Sequence, residues 1–207
     1  MSLWGDAHGA ATNKPKFLPQ DESSDYNRAD CYATQAGWVM QAGHPSSGNS
    51  NTSATPEVLV ASGGLAGATD TTGLRAPTVT SMRFVKGTTA TTALTAVDST
   101  GRVRVEITWD EEVTVAGTPQ VVVANNNASG GGFGNYTLSY ISSGSTANRK
   151  LFEATSQSLG NTDVLTLGGA NITLNSGTIS DTVRGGTAQA ASLVLSGISA
   201  VAVTIAS

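Results

Sequence analysis

Arg102-Val103-Arg104-Val105-Glu106-Ile107-Thr108-Trp109 alternates without a break. Successive side chains of a strand point to opposite faces, so Val103, Val105, Ile107 and Trp109 share one face. Arg102, Arg104, Glu106 and Thr108 share the other, and the segment reads as a strand with one buried and one solvated side. Asn135–Ile141 repeats the pattern, with Tyr136, Leu138 and Tyr140 opposite Thr137 and Ser139. Outward from these two lie further short runs: Val79–Val85, Val113–Val115, Gln120–Ala124, Asp163–Leu167, Asn171–Leu174, Ser192–Leu195 and Ile198–Ile205. Turn-forming residues separate them, at Ser99-Thr100-Gly101, Ala116-Gly117-Thr118-Pro119, Gly168-Gly169 and Ser196-Gly197. Seven or more short strands at this spacing predict an all-β fold, an Ig-like antiparallel β-sandwich over residues 76–207. No segment carries a convincing helical period; Arg149–Leu159 has room for one helical turn at most.

The first 75 residues read differently. Residues 1–30 are an extended N-terminal arm, with Pro15 and Pro19 restricting the residues before them and isolated apolar side chains at Leu3, Trp4, Phe17 and Leu18. Such an arm has no core of its own, so Trp4, Phe17 and Leu18 are candidate partner-binding anchors. The alternative is that they fold back onto their own chain. Residues 31–75 form a small β unit followed by a Gly/Ser/Thr-rich linker. Its two strand-like runs are Tyr32–Met40, which contains Trp38, and Glu57–Ala61. Two strands alone are marginal in water, so this unit must lean on another surface. Trp38 joins the partner-binding candidates.

Composition narrows the function classes. Among 207 residues only 13% are charged and the net charge is -4. Nucleic-acid binding needs a clustered basic surface, and the longest basic groupings here are Lys14-Pro15-Lys16 and Arg149-Lys150. The single cysteine, Cys31, excludes an intrachain disulfide. No apolar stretch approaches a membrane span, and no charged-then-apolar secretory leader opens the sequence. The expectation is a product made in a cytoplasm without a standard export route, with no nucleic-acid or membrane partner.

Candidate chemistry is sparse, and no catalytic, cofactor-binding or metal residues are assigned. His8 and His44 lie in loops without histidine, cysteine or carboxylate at ligand spacing. Cys31 beside Asp30 would need a base to act as a nucleophile, and a buried thiol is the plainer reading. Asp110-Glu111-Glu112 is the one acidic cluster; with Asp98 or Asp181 it could offer oxygen ligands to calcium. The favoured reading is a solvated turn that keeps a sheet end soluble. Gly130-Gly131-Gly132-Phe133-Gly134 lies between strands and lacks a following Lys-Ser/Thr, so it is a hairpin loop rather than a phosphate cradle. Phe133 at its tip is a further partner-binding candidate.

Two resemblances add to this reading. From about 100 to 196 the chain resembles a bacterial Ig-like repeat family of surface adhesins and phage structural proteins. The residues that carry it are Val103-Arg104-Val105-Glu106-Ile107-Thr108-Trp109, Glu112-Val113-Thr114-Val115-Ala116-Gly117-Thr118-Pro119, Asn135–Tyr140, Leu174–Asp181 and Ser192–Leu195. It implies a sandwich and says almost nothing about function. The N-terminal third resembles virion proteins of tailed phages of marine cyanobacteria, on Met1-Ser2-Leu3-Trp4-Gly5, Asn13-Lys14-Pro15-Lys16-Phe17, Gly37-Trp38-Val39 and Glu57–Ala61. That resemblance implies a virion component and does not say where in the virion it sits. The anchor-like arm, the linker and a disulfide-free sandwich with no catalytic set lead to the expectation of a non-enzymatic capsid decoration or cement protein held by its N-terminal region, with the major capsid protein or other virion proteins as partners and a homo-oligomer in the particle. The alternatives are a neck, collar, fibre or tail-associated protein, and an adhesion module making weak contact with host-surface carbohydrate.

Overall fold

The computed structural model describes residues 14–15, 17–18, 28–44, 49–66, 74, 76–86, 89–90, 93–95, 103–128, 134–154, 159–181 and 188–206. Trp4, His8, Asp98 and Phe133 lie outside them. The described chain is all-β. A 3-10 turn at Arg28–Asp30 precedes strands β1 (Cys31–Thr34), β2 (Gly37–Met40), β3 (Glu57–Ala61), β4 (Val79–Lys86), β5 (Thr89–Ala90), β6 (Ala93–Thr95) and β7 (Val103–Trp109). Then come β8 (Val113–Ala116), β9 (Gln120–Asn125), β10 (Tyr136–Ile141), β11 (Arg149–Ala154), β12 (Val164–Leu167), β13 (Thr178–Asp181) and β14 (Val201–Ala206). The fold is sandwich-like, and no helix among the described residues is long and apolar enough to cross a membrane.

Two units gather the contacts. One combines the described residues of 1–80 with Trp109–Thr114 and Ile179–Ser192; the other combines Ser81–Thr108, Val115–Thr178 and Leu193–Ser207. The first unit therefore recruits two segments from within the region read as the sandwich.

In the second unit, the principal sheet runs β5-β4-β7-β11-β10-β9-β12-β14-β6. Its registered pairs are antiparallel, except that β14 pairs β6 in parallel. The terminal run is thus a paired strand inside this sheet. Val103, Val105 and Ile107 are fully buried, as the alternation requires, and Leu138 and Tyr136 join them on the inner side. The opposite face of β7 departs from expectation. Glu106 is buried and Thr108 is only 2% exposed, because β7 lies between β4 and β11 and long polar side chains cover it. Arg104 stands opposite Glu153 and its Nε donates to Glu153 Oε2 at 2.8 Å. Arg83 pairs with Glu106 at 2.9 Å, and Arg149 approaches the same carboxylate at 3.8 Å. The row continues through Ser139, opposite Glu153, to Gln120, whose Nε2 donates to Ser139 Oγ at 3.3 Å.

Three local readings are corrected. Within Arg149–Leu159, Arg149–Ala154 is strand β11, and residues 155–158 lie outside the described residues. Tyr32–Met40 is not one strand but the hairpin β1–β2, turning at Gln35-Ala36, so the small unit is a three-stranded sheet in the order β1-β2-β3. Gly37 takes φ +130 at that turn, and the backbone of β3 passes so close that a Cβ would collide with the Val60 carbonyl. Asn171–Leu174 and Ser192–Leu195 do not form strands: Thr173 makes an isolated bridge to Gln120, and Ile172 N–H donates to the Leu193 carbonyl at 3.0 Å. The turn that carries the Ig-like resemblance has a steric basis. Gly117 sits at φ +73, where a Cβ would lie 2.8 Å from Gly177 Cα.

Covering both faces of β7 has a measurable consequence. Val105→Asp buries a charge among apolar neighbours, and Thr108→Asp buries one beneath the ion-pair layer, so each should cost about 2–4 kcal/mol. Denaturant unfolding of the two variants is the check. A cost under about 0.5 kcal/mol for Thr108→Asp, the usual size of a surface effect, would mean that this face is solvated after all.

Candidate functional site

The β1–β2–β3 sheet separates a core from a cleft. Alternation sends Cys31 and Ala33 of β1 and Trp38 and Met40 of β2 to one side, where they pack with Leu18, Leu65 and Leu74. Leu59 and Val60 of β3 complete that core. The remaining side chains belong to the other face. Tyr32 stands opposite Val39, and Val39 opposite Val58. A register shift between Trp38 and Val39 pairs Trp38 with Val60 and still leaves Val58 in the Tyr32 row. These three, with Thr34, Gln35, Ala36, Thr55, Pro56 and Ala66, line a cleft of about 370 Å3.

Its remaining wall is acidic. Glu111, Glu112 and Asp181, together with Ala33, complete the lining. The segment after Trp109 is drawn to the free edge of β1: Ala33 N–H donates to the Asp110 carbonyl at 2.7 Å, and Ala33 bridges Glu111 in parallel. Trp109 Nε1 donates to the Ser192 carbonyl at 3.1 Å, and Ser192 N–H to the Pro77 carbonyl at 2.8 Å. Asp110 is fully buried. Its carboxylate accepts from Thr78 N–H and Thr78 Oγ1, each at 2.7 Å, while Asp110 N–H donates back to the Thr78 carbonyl at 3.0 Å. Asp181 Oδ1 accepts from Gln189 N–H at 2.6 Å.

Glu111 is the exception in this group. It is 2% exposed, and its Oε1 has no hydrogen-bond partner among the described residues. Burial, with the neighbouring Asp110 and Asp181 carboxylates, pushes its acid group up to about 8. Burial raises Asp110 and Asp181 as well, against the opposing hydrogen bonds from Thr78 and Gln189. Burial and the adjacent Glu112 push the Tyr32 phenol up to about 12. The acidic cluster is therefore no solvated turn. Desolvation favours the neutral form of the Glu111 carboxyl at the cleft wall.

The proposed partner-binding residues part company here. Phe17 is 69% exposed, whereas Leu18 and Trp38 are buried in the core and offer no surface to a partner. The turn around Phe17 is tied down: Leu18 N–H donates to the Pro15 carbonyl at 3.3 Å, and Arg28 Nε donates to the Leu18 carbonyl at 3.1 Å. Tyr136 is likewise buried, and the ring of Tyr140 packs edge-on against Phe152 at 6.1 Å. Cys31 is buried and its thiol is pushed up to about 12 by that burial, with the Lys14 charge opposing, so it stays protonated. His44 finds a carboxylate that sequence spacing did not suggest: its Nε2 lies 2.8 Å from Asp30 Oδ2. No three metal-ligating side chains come together among the described residues. Sequence reasoning singled out Glu111 and Glu112 but missed Tyr32, Val39 and Val58 as cleft residues. The alternation that would place them is hidden by reading β1 and β2 as one strand.

Glu111 makes stability pH-dependent. Its ordinary value is 4.5 and its folded value about 8. Between them the unfolded chain has released a proton that the folded chain keeps, so this contribution to stability falls as pH rises through that window and is flat above it. Glu111→Gln should therefore stabilise the protein by about 1–3 kcal/mol near neutral pH, and should be nearly neutral at about pH 4.5. Thermal melts of both proteins across that range are the check. An equal effect at both ends would show that Glu111 ionises normally.

Compared with known proteins, the chain matches no family model, no curated protein and no solved structure.

Proposed function

We propose that this chain is a structural protein of a phage virion, a capsid decoration protein that attaches to the shell through its N-terminal region. The reading rests on one observation, taken with the resemblance of the N-terminal third to phage virion proteins. Phe17 projects 69% exposed from a turn whose next residue, Leu18, is buried in the core. Fixing the backbone on one side of an exposed aromatic removes much of the ordering cost of docking it. A phenylalanine ring buries roughly 150–250 Å2 when fully covered, which suits it to act as an anchor on a neighbouring subunit. On a lattice, many such weak contacts act together once copies are held side by side.

Phe17→Ala should lower incorporation into purified virions several-fold and leave the melting temperature unchanged within about 1 °C, as surface substitutions do. Leu18→Ala should instead lower the melting temperature, because it opens a hole in the core. Quantitative mass spectrometry of purified particles supplies the copy number as well. Hundreds of copies per particle accord with decoration of the shell. About six or twelve, the numbers of a neck or tail ring, would overturn it. So would normal incorporation of the Phe17→Ala protein.

A further inference from the structure

The cleft on the first unit joins an apolar floor to an acidic wall. Tyr32, Val39, Pro56, Val58 and Ala66 supply the floor, and Glu111, Glu112 and Asp181 the wall. No lysine or arginine is among the lining residues. Glu111 Oε1 is buried at this wall with no donor to satisfy it. An orphaned buried acceptor costs about 1–3 kcal/mol, and more when it is ionised. Unlike the Asp110 carboxylate, which Thr78 satisfies, Glu111 has the Asp110 and Asp181 carboxyls acting on it and no donor at Oε1.

We propose that this cleft is a receptor for an arginine side chain of a partner protein, the guanidinium seated against Glu111 between Glu112 and Asp181 and its stem lying along Val39, Pro56 and Val58. The chemistry of the lining selects that ligand. An anion is refused by three carboxyls. A hard divalent cation needs several converging oxygen ligands, and the described residues gather no such set. Between the organic cations, an ammonium is compact and strongly hydrated, whereas a guanidinium is planar, weakly hydrated and carries five donors in a fixed fork. The apolar floor favours the second, and its donors can serve Glu111 and a neighbouring carboxylate together. The cleft volume of about 370 Å3 accommodates a group of this size.

Seating a cation is linked to a proton. Glu111 is held mostly neutral at pH 7 in the empty cleft by burial, Asp110 and Asp181. A guanidinium beside the Glu111 carboxyl favours the carboxylate, so the acid proton leaves to solvent as the ligand enters, and affinity rises with pH. The other groups facing this region are Glu112 and Tyr32, whose phenol remains neutral, and Lys14, whose charge acts on Asp110. The site does not rest on the virion reading.

The test uses the full chain and Nα-acetyl-arginine amide, followed by calorimetry and by NMR shifts of the cleft residues. Saturable binding at millimolar concentration is expected, tightening roughly tenfold between about pH 6.5 and about pH 8.5 as Glu111 becomes ionisable. It should be accompanied by proton release, seen as a buffer-dependent heat. The citrulline amide, neutral and of the same shape, should bind at least about tenfold more weakly. Glu111→Gln should weaken the arginine amide to the level of the citrulline amide and remove the pH dependence. Because that variant loses a desolvated acid, its melting temperature shows whether the fold survives. Glu112→Gln, at a half-buried position, gives a second variant with a smaller expected loss. The proposal is overturned by any one of several results: no saturation at about 20 mM probe, equal binding of the citrulline amide, tighter binding of Nα-acetyl-lysine amide, or arginine binding indifferent to Glu111→Gln in a folded protein.

Discussion

Strand β7 is covered on both faces, and much of the second unit follows from that constraint. Its inner side, Val103, Val105 and Ile107, is removed from water by packing alone. Its outer side carries Arg104, Glu106 and Thr108, which burial would penalise heavily if their polar groups were left alone. The neighbouring strands meet the requirement: β4 brings Arg83 to Glu106, and β11 brings Arg149 to Glu106 and Glu153 to Arg104. These pairs lock register as well as charge. A one-residue slip of β11 against β7 would put Phe152 opposite Arg104 and Glu153 opposite Val103, against the apolar inner row. Such ion pairs contribute little net stability compared with apolar packing of the same volume, but breaking one side leaves a buried charge behind. Their consequence is specificity: the order β4-β7-β11 is one in which each of these charges finds its opposite.

The same constraint decides what could be read from the sequence. Strands β7 and β10 were legible because alternation is the signature of a half-buried strand, and each alternates over six residues or more. Strand β11 was not. Arg149-Lys150-Leu151-Phe152-Glu153-Ala154 puts an apolar residue on each face in turn, and both Leu151 and Phe152 are fully buried. A strand with two covered faces loses its period, and local propensity cannot restore it. The hairpin β1–β2 was hidden by a different cause. Gln35-Ala36 is not a preferred turn pair, and the marker of the turn is Gly37, whose positive φ and close neighbour on β3 are tertiary facts.

For the site, legibility ended at the cluster. Three adjacent acids after a strand are visible in any reading, and water is the default environment for them. Their burial depends on the edge of β1 drawing in the backbone at Asp110, and on Asp181 arriving from the far end of the chain. Neither has a local signal. The Tyr32, Val39 and Val58 row was present in the sequence as ordinary strand residues, and it is the pairing of β1, β2 and β3 that aligns them.

Asp110 and Glu111 show how differently one fold can treat neighbouring carboxyls. Asp110 receives two hydrogen bonds from Thr78 and returns one through its own backbone, so its burial is answered locally and its part is to hold the segment in place. Glu111 shares the same desolvation and adds the repulsion of Asp110 and Asp181, yet its Oε1 receives nothing from the described chain. A carboxyl that served only the fold would be stabilised by any of the small changes that supply a donor or remove the charge. Asp110 thus holds the 110–112 segment in place, and Glu111, bridged to Ala33 at the edge of β1, is the carboxyl that this arrangement leaves without a donor at Oε1.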